Sequence, residues 1–205
     1  MYDPNDLRST YDKTARDRDT GEVSAWKVEE RRHFLGSLQA EGKRTLLELG
    51  AGPGRDALFF QDNGLEVTAT DLSPEMVRLC EEKGLAARVM DFRVLEFPAA
   101  SFDAVFALNS LLHTPKKDLP DVLKGIRRVL KPGGLFYLGV YGGNDFEGVW
   151  PDDPLEPKRF FAYYTDAGLL ECVTEVFDLV DFQQVQVERG AGFHFQSLVL
   201  RKSVL

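Results

Sequence analysis

Cysteine, histidine and basic side chains are all scarce in this sequence. Its 205 residues include two cysteines and three histidines, and 33 acidic side chains outnumber 25 basic ones, giving a net charge of −8. The cysteines and histidines are scattered, so the sequence predicts no disulfide framework and no metal site. The acidic balance argues against broad binding to nucleic acids or anionic membranes, because both depend on basic surface.

Long hydrophobic runs are also missing. The uncharged segment 104–112 is far too short to cross a bilayer. The first six residues are polar and acidic, unlike a secretory signal peptide. We therefore expect a cytoplasmic protein without membrane association, in which Cys80 and Cys172 remain thiols. The length favours a single domain that spans residues 1–205.

One stretch is rich in glycine. An apolar run ends at Glu48-Leu49, and Gly50, Gly52 and Gly54 follow at alternate positions. This order is typical of a buried parallel strand that turns sharply into a helix. Glycines permit the turn and let a ligand lie against the backbone, while N–H groups at the helix N-terminus point toward it. The stretch therefore predicts a ligand-binding turn.

Strand and helix signals alternate along the rest of the chain. This alternation indicates an α/β fold with a parallel sheet covered on both faces. The sequence Gly190-Ala191-Gly192 predicts a hairpin turn between two final antiparallel strands. Residues 1–23 are predicted as a short helix or ordered flap, and 142–157 as a long loop. The predicted strands are 45–50, 66–70, 86–90, 102–108, 135–140, 177–188 and 193–201, and the predicted helices are 24–41, 55–63, 75–83, 114–131 and 165–175.

The spacing G-x-G-x-G after Glu48 resembles motif I of the class I S-adenosylmethionine-dependent methyltransferases. Segment 102–109 resembles motif IV of that family, and 130–134 resembles its turn before the fifth strand. Together these motifs cover about residues 45–140 in the family's order and spacing. The resemblance implies a Rossmann-like, doubly wound sheet of seven strands, mostly parallel with an antiparallel C-terminal hairpin strand. It also implies S-adenosylmethionine as cofactor and S-adenosylhomocysteine as its product.

The resemblance further implies where the cofactor binds. Asp71 would hold the ribose hydroxyls, as an acid does at this place in doubly wound folds, and Asp91 would take the adenine amino group. Tyr11 would close over the cofactor's carboxylate, with which Arg55 could pair. Each could instead have an ordinary structural role. The predicted cofactor residues are Tyr11, Glu48, Gly50, Ala51, Gly52, Gly54, Arg55, Asp71, Leu72, Met76, Met90, Asp91, Phe92, Leu108 and Asn109.

Two features point to the acceptor side. His113 follows the fourth strand, where cofactor and acceptor should meet, and histidine has the ordinary pKa that suits a general base. It is the candidate catalytic residue, with packing as the alternative. The aromatic residues Tyr141, Trp150 and Tyr163 could line an acceptor pocket or belong to the core. On this reading residues 1–41 form a helical lid, 45–140 the cofactor-binding core and 141–205 the acceptor side.

The sequence thus predicts methyl transfer from S-adenosylmethionine to a small-molecule acceptor by in-line displacement. The motif Asn/Asp-Pro-Pro-Tyr/Phe, which marks amino methylation of nucleic-acid bases, is absent at 108–111. Together with the acidic charge, this favours a small acceptor and no nucleic acid. Two alternatives remain, a cofactor-binding regulator without turnover and a nucleotide-cofactor oxidoreductase. Arg55 counts against the second, because it replaces the third glycine of the dinucleotide fingerprint.

Overall fold

The computed structural model describes residues 2–187 and 192–204. Helices and strands alternate through most of the described chain, with a short 3₁₀ helix at Leu111–His113. The α-helices are α1 (Pro4–Thr20), α2 (Ala25–Ala40), α3 (Arg55–Asp62), α4 (Pro74–Glu82), α5 (Leu119–Val129) and α6 (Asp166–Thr174). The strands are β1 (Thr45–Leu49), β2 (Glu66–Asp71), β3 (Ala86–Val89), β4 (Phe102–Leu108), β5 (Leu130–Gly142), β6 (Phe146–Val149), β7 (Phe160–Tyr163), β8 (Asp178–Val185) and β9 (His194–Arg201).

Seven strands form one sheet in the order β3-β2-β1-β4-β5-β9-β8. The pairs from β3 to β5 are parallel, while β9 is antiparallel to both β5 and β8. The predicted doubly wound, mostly parallel sheet with an antiparallel C-terminal strand is therefore confirmed. The order reverses between β1 and β4, and this crevice is where ligands bind in such sheets.

Both faces of the sheet are buried, which explains why its central strands are almost continuously apolar. In β4, Ala104 and Phe106 face a cluster that includes side chains of α2 and α3. Val105 and Ala107 face the opposite cluster, which includes side chains of α5 and α6. This alternation follows from the two-residue period of a strand. The two layers hold the carboxyl ends of β1, β2 and β4 in a fixed relation.

The N-terminal segment forms a longer helix than the sequence indicated. α1 begins with Asp3 as its N-cap and Pro4 in its first turn. It packs on α4, where Ala15 and Tyr11 meet Met76 and Leu79. Because each turn of α1 carries only a single apolar side chain, Leu7, Tyr11 or Ala15, and 16–20 carries none, sequence periodicity gives this helix a weak signal.

Three boundaries differ from the prediction. The predicted loop 142–157 contains β6, which pairs with β7 in a separate two-stranded sheet. α5 begins only at Leu119, since Pro120 suits the first turn of a helix and not its interior. β5 begins at Leu130, before the Pro-Gly-Gly sequence, with a shift of register against β4. Of the predicted hairpin turn, 190 and 191 lie outside the described residues.

No helix in the described ranges is long and apolar enough to cross a membrane.

Candidate active site

A cavity of about 340 Å³ lies at the carboxyl ends of β1, β2 and β4. α1 and the segment that joins it to α2 cover the cavity on the other side. Its position is the crevice where the strand order reverses, and its volume is within the range of small-molecule sites. A ligand here would be enclosed between the sheet and the N-terminal helices.

Most of the predicted cofactor residues meet in this cavity. Two do not line it. Gly54 begins α3 behind the turn, where a Cβ would lie 2.6 Å from Cδ1 of Leu85, and Met90 packs against the core. The predicted residues that line the cavity are Tyr11, Glu48, Gly50, Ala51, Gly52, Arg55, Asp71, Leu72, Met76, Asp91, Phe92, Leu108 and Asn109.

The glycine turn is tied to the neighbouring strand. The N–H groups of Gly50 and Ala51 both donate to the Thr70 carbonyl, at 2.8 and 3.0 Å. Gly50 has a φ of +68°, and a Cβ there would lie 2.4 Å from the Cβ of Ser110. The turn can therefore approach the end of β4 only with glycine at position 50.

Asp71 ends β2 and faces the glycine turn. Its two carboxylate oxygens accept hydrogen bonds from the N–H groups of Gly52, at 2.8 Å, and Ser73, at 2.9 Å. Burial raises the pKa of Asp71, and these two N–H groups partly offset that effect. Each carboxylate oxygen has a second lone pair, so the side chain can still accept hydroxyl donors from a ligand.

Three cavity residues, Glu48, Asn109 and Ser110, have a buried side-chain oxygen without a hydrogen-bond partner among the described residues. Glu48 is 3% exposed, and its Oε2 has no hydrogen bond to any described residue, nor has Oδ1 of Asn109. Burial raises the pKa of Glu48 well above its ordinary value, and the nearby charges of Asp56 and Asp71 add to this. Asn109 has a φ of +56°, a costly conformation for a residue with a side chain. Unpartnered buried oxygens of this kind indicate a ligand that donates hydrogen bonds.

His113 is 3% exposed and lies in the cavity wall beside Tyr11. Its Nε2 is 2.7 Å from the Tyr11 hydroxyl, and its Nδ1 is 2.7 Å from the Phe160 carbonyl oxygen. Burial lowers the pKa of His113 to about 3, and the positive charges of Arg159 and Arg18 act in the same direction. The ring is therefore neutral at neutral pH.

Arg55 and Asp91, like Tyr11 and Asp71, have partners within the chain. Arg55 donates to the Asp19 carbonyl at the end of α1. Asp91 forms a two-pronged ion pair with Arg93. Burial alone would raise the pKa of Asp91, but the hydrogen bonds from Arg93 outweigh it and the pKa is lowered. Asp91 is thus a carboxylate acceptor at the cavity edge.

The three predicted acceptor residues do not line this cavity. Trp150 packs edge to face with Phe146 and Tyr163, and Tyr163, which is 1% exposed, packs edge to face with Phe193. Tyr141 packs against Trp26 and Phe195. The structure therefore places them in packing around β5 to β7, while their predicted role with the acceptor stays a prediction.

Several cavity residues were missed from the sequence. Arg18 lies over the Tyr11 ring, with its Cζ 4.7 Å from the ring centroid. The seven-residue spacing of the two places them on one face of α1, a signal that needed the helix to be recognised first. Lys27 and Tyr2 also line the cavity, and Ser110 follows the strained Asn109.

The donor set of the cavity fits the cofactor that the resemblance implies. Three cations, Arg18, Lys27 and Arg55, line the cavity, and their charge suits a carboxylate. The unpartnered oxygens of Glu48 and Asn109 suit an ammonium group, and Asp71 suits a pair of hydroxyls. Among the residues that the structure describes, no group of three or more histidine, cysteine or acidic side chains could hold a metal ion.

The chain resembles known methyltransferases in sequence and in structure. Residues 47–138 match the methyltransferase domain family. A solved structure, the 1,6-didemethyltoxoflavin-N1-methyltransferase of Burkholderia thailandensis with bound 1,6-didemethyltoxoflavin and S-adenosylhomocysteine, superposes with a TM-score of 0.72. It is 28% identical, and the match covers 96% of this chain and 87% of that one.

Curated relatives are similar over shorter shares of their length. A malonyl-[acyl-carrier protein] O-methyltransferase of Xylella fastidiosa is 30% identical over 172 residues, which are 79% of this chain and 54% of the relative. A sterol 24-C-methyltransferase of Aspergillus fumigatus is 38% identical over 120 residues, which are 53% of this chain and 30% of the relative. The chain thus spans about half or less of the length of these curated relatives.

Proposed function

We propose that this chain, which belongs to the class I S-adenosylmethionine-dependent methyltransferases, transfers a methyl group to a small-molecule acceptor. S-adenosylmethionine is the cofactor of the family, and it supplies an electrophilic methyl on a sulfonium whose departure leaves a neutral thioether. The observation that carries the proposal is the enclosed cavity at the sheet crevice, in which Glu48, Asp71 and Asn109 face the same space. S-adenosylhomocysteine is bound in the solved structure from Burkholderia thailandensis.

The chain's own part in the reaction is binding and alignment. Asp71 would hold the ribose hydroxyls, and the cations Arg18 and Arg55 would hold the carboxylate of the cofactor. The glycine turn lets the bound molecule lie against the backbone, and α1 keeps water out. Holding two reactants in line can lower a reaction barrier by about 7–11 kcal/mol. The proposal therefore relies on binding and alignment and includes no metal or further cofactor.

The small size of the acceptor is also part of the proposal. The two relatives and the solved structure are named for sterol, malonyl-[acyl-carrier protein] and didemethyltoxoflavin chemistry. The net charge of −8 gives little attraction for nucleic-acid phosphates. Cys80 and Cys172 are both free thiols, which supports the expected cytoplasmic location.

We further propose one domain in which residues 1–41 act as a lid, 45–140 as the cofactor-binding core and 141–205 as the acceptor side. The lid is supported by four links from α1 to the rest of the chain. Tyr11 meets His113, Asp12 accepts from the Ser73 hydroxyl, the Asp19 carbonyl accepts from Arg55, and Asp19 pairs with Lys83 at 2.7 Å.

The experiment is a screen of small-molecule pools with cofactor that carries a deuterated methyl group, read by mass spectrometry. The expected result is labelled product with the parent protein and far less with Asp71→Ala. Cofactor binding without any labelled product would favour the regulator. The absence of both binding and product would refute the proposal.

A further inference from the structure

His113 uses both ring nitrogens within the chain. Nδ1 lies 2.7 Å from the Phe160 carbonyl oxygen on β7, and Nε2 lies 2.7 Å from the Tyr11 hydroxyl on α1. A carbonyl oxygen can only accept a hydrogen bond, so Nδ1 must carry the proton. A neutral imidazole has a single N–H, and Nε2 is therefore an acceptor. The hydroxyl of Tyr11 donates to it.

The surroundings keep the ring neutral. His113 is 3% exposed, and the Arg159 guanidinium lies 5.1 Å from the centroid of Phe161, whose ring packs on His113 at 4.8 Å. The carboxylate of Asp153 is turned to Arg159, from which it accepts bonds at 2.8 Å from both Nε and Nη2. Burial, together with the charges of Arg159 and Arg18, lowers the pKa of His113 to about 3. Nε2 of His113 is therefore a weak base in this environment.

The Tyr11 oxygen can still accept hydrogen bonds, and Arg159 also interacts with it. The single hydroxyl proton of Tyr11 points to His113, so the oxygen can only accept further hydrogen bonds. Arg18 at 4.7 Å and Arg159 at 5.9 Å lie over the Tyr11 ring and help to fix its position. Tyr11 and His113 both line the cavity, next to the end of β4. An N–H or O–H group that enters this part of the cavity meets a fixed acceptor.

We propose that Tyr11 binds the methyl acceptor by accepting a hydrogen bond from its N–H or O–H group, and that His113 is the positioning residue that orients the Tyr11 hydroxyl. The inference rests on the proposed methyl transfer. The acceptor's lone pair forms the new bond to the methyl carbon, while the carbon–sulfur bond breaks and its electron pair stays on sulfur. The acceptor's proton rests against Tyr11 during transfer and then passes to water. His113 takes no proton from the acceptor.

The tautomer of His113 can be measured without any acceptor. Long-range ¹H–¹⁵N correlation spectra of ¹⁵N-histidine-labelled protein, saturated with S-adenosylhomocysteine, report which nitrogen is protonated. The signals that vanish in His113→Asn belong to His113. The expected pattern is a neutral ring with the proton on Nδ1 at pH 6 to 8. A proton on Nε2, or a charged ring at pH 7, would overturn the inference whether or not methyl transfer is found.

Kinetics separates positioning from base catalysis. The kinetics are measured with an acceptor found in the screen, and amine and hydroxyl acceptors are tested separately. Tyr11→Phe should lower kcat/KM about tenfold, which is the scale of one hydrogen bond. His113→Asn should cost about the same, and the double variant no more, because both changes remove one interaction. Affinity for S-adenosylhomocysteine should change less than about twofold. Tyr164→Phe is the matched control, since its hydroxyl is buried without a partner among the described residues.

Two outcomes would contradict this assignment. A drop of about 10²–10⁴-fold for His113→Asn, with a much smaller effect of Tyr11→Phe, would make the histidine a general base. A loss of S-adenosylhomocysteine affinity in Tyr11→Phe, with unchanged acceptor kinetics, would place the hydroxyl on the cofactor. If no acceptor is found, the methyl-transfer proposal fails while the tautomer measurement still decides the role of His113.

Discussion

Alanine substitutions in the glycine turn should separate folding from cofactor binding. Gly50 and Gly52 both have positive φ angles, +68° and +54°. A Cβ at position 50 would lie 2.4 Å from the Cβ of Ser110, whereas at position 52 it would meet no heavy atom within 4 Å in the described part of the chain. Gly52 lines the cavity. Its added methyl group would therefore enter space that the proposed cofactor needs.

The expected magnitudes follow from these contacts. A left-handed conformation costs a non-glycine residue about 1–2 kcal/mol, and overpacking adds about 1–3 kcal/mol. Gly50→Ala should lose about 2–5 kcal/mol of unfolding free energy, and Gly52→Ala only about 1–2 kcal/mol. At position 52 the added methyl group would crowd the bound ligand and not the free protein. If this overpacking costs the complex about 1–3 kcal/mol, Gly52→Ala should bind S-adenosylhomocysteine about 5- to 150-fold more weakly.

Gly64→Ala is the control for the backbone cost. Gly64 has a φ of +88°, its Cβ would also meet nothing within 4 Å among described residues, and it lies beyond α3, away from the cavity. Urea unfolding gives the stability of each variant, and calorimetry gives its affinity for S-adenosylhomocysteine. Gly52→Ala and Gly64→Ala should be equally stable, and only Gly52→Ala should lose affinity. Equal affinity in the two variants would refute the placement of the cofactor against Gly52.

Three further results are expected. Asp71→Ala should weaken S-adenosylhomocysteine binding by about 1–3 kcal/mol in calorimetry, and parental affinity would remove Asp71 from the site. Burial holds the pKa of Glu48 above its ordinary value of 4.5, so the unfolded chain loses this proton first and stability falls as pH rises from 4.5 through the folded pKa. Urea unfolding of ligand-free Glu48→Gln should therefore show a smaller fall over that range, and an unchanged slope would contradict the assignment. Amide exchange in residues 8–18 should slow when S-adenosylhomocysteine binds, and unchanged exchange would argue against the lid.

The sheet and the glycine turn could be predicted because their signals are local. Gly50, Gly52 and Asp71 lie within two units of a strand and the turn that follows it. The positive φ angles favour glycine at 50 and 52, and the Gly52 N–H has the Asp71 carboxylate as its acceptor. Val105 and Phe106 show why the sequence predicts β4. They face opposite sides of the sheet, and a strand buried on both faces has a continuous apolar sequence. In these units sequence spacing determines spatial spacing.

The surroundings of Tyr11, His113 and β6 could not be predicted in the same way, because their contacts join distant segments. Tyr11 and His113 are separated by 102 positions, and nothing local to either residue indicates the other. β6 lies in a Gly-, Pro- and Asp-rich segment whose composition is typical of a loop, and it becomes a strand only by pairing with β7. The aromatic ring of Trp150 suits an acceptor pocket, but its neighbours are set by that pairing.

The central claim is that the cavity beneath α1 binds S-adenosylmethionine and its product. The most direct measurement is a calorimetric titration of the parent protein with S-adenosylhomocysteine, with NAD as the comparison ligand. The account predicts saturable binding of one S-adenosylhomocysteine per chain and no binding of NAD. Absence of binding to S-adenosylhomocysteine, or tighter binding of NAD, would contradict it.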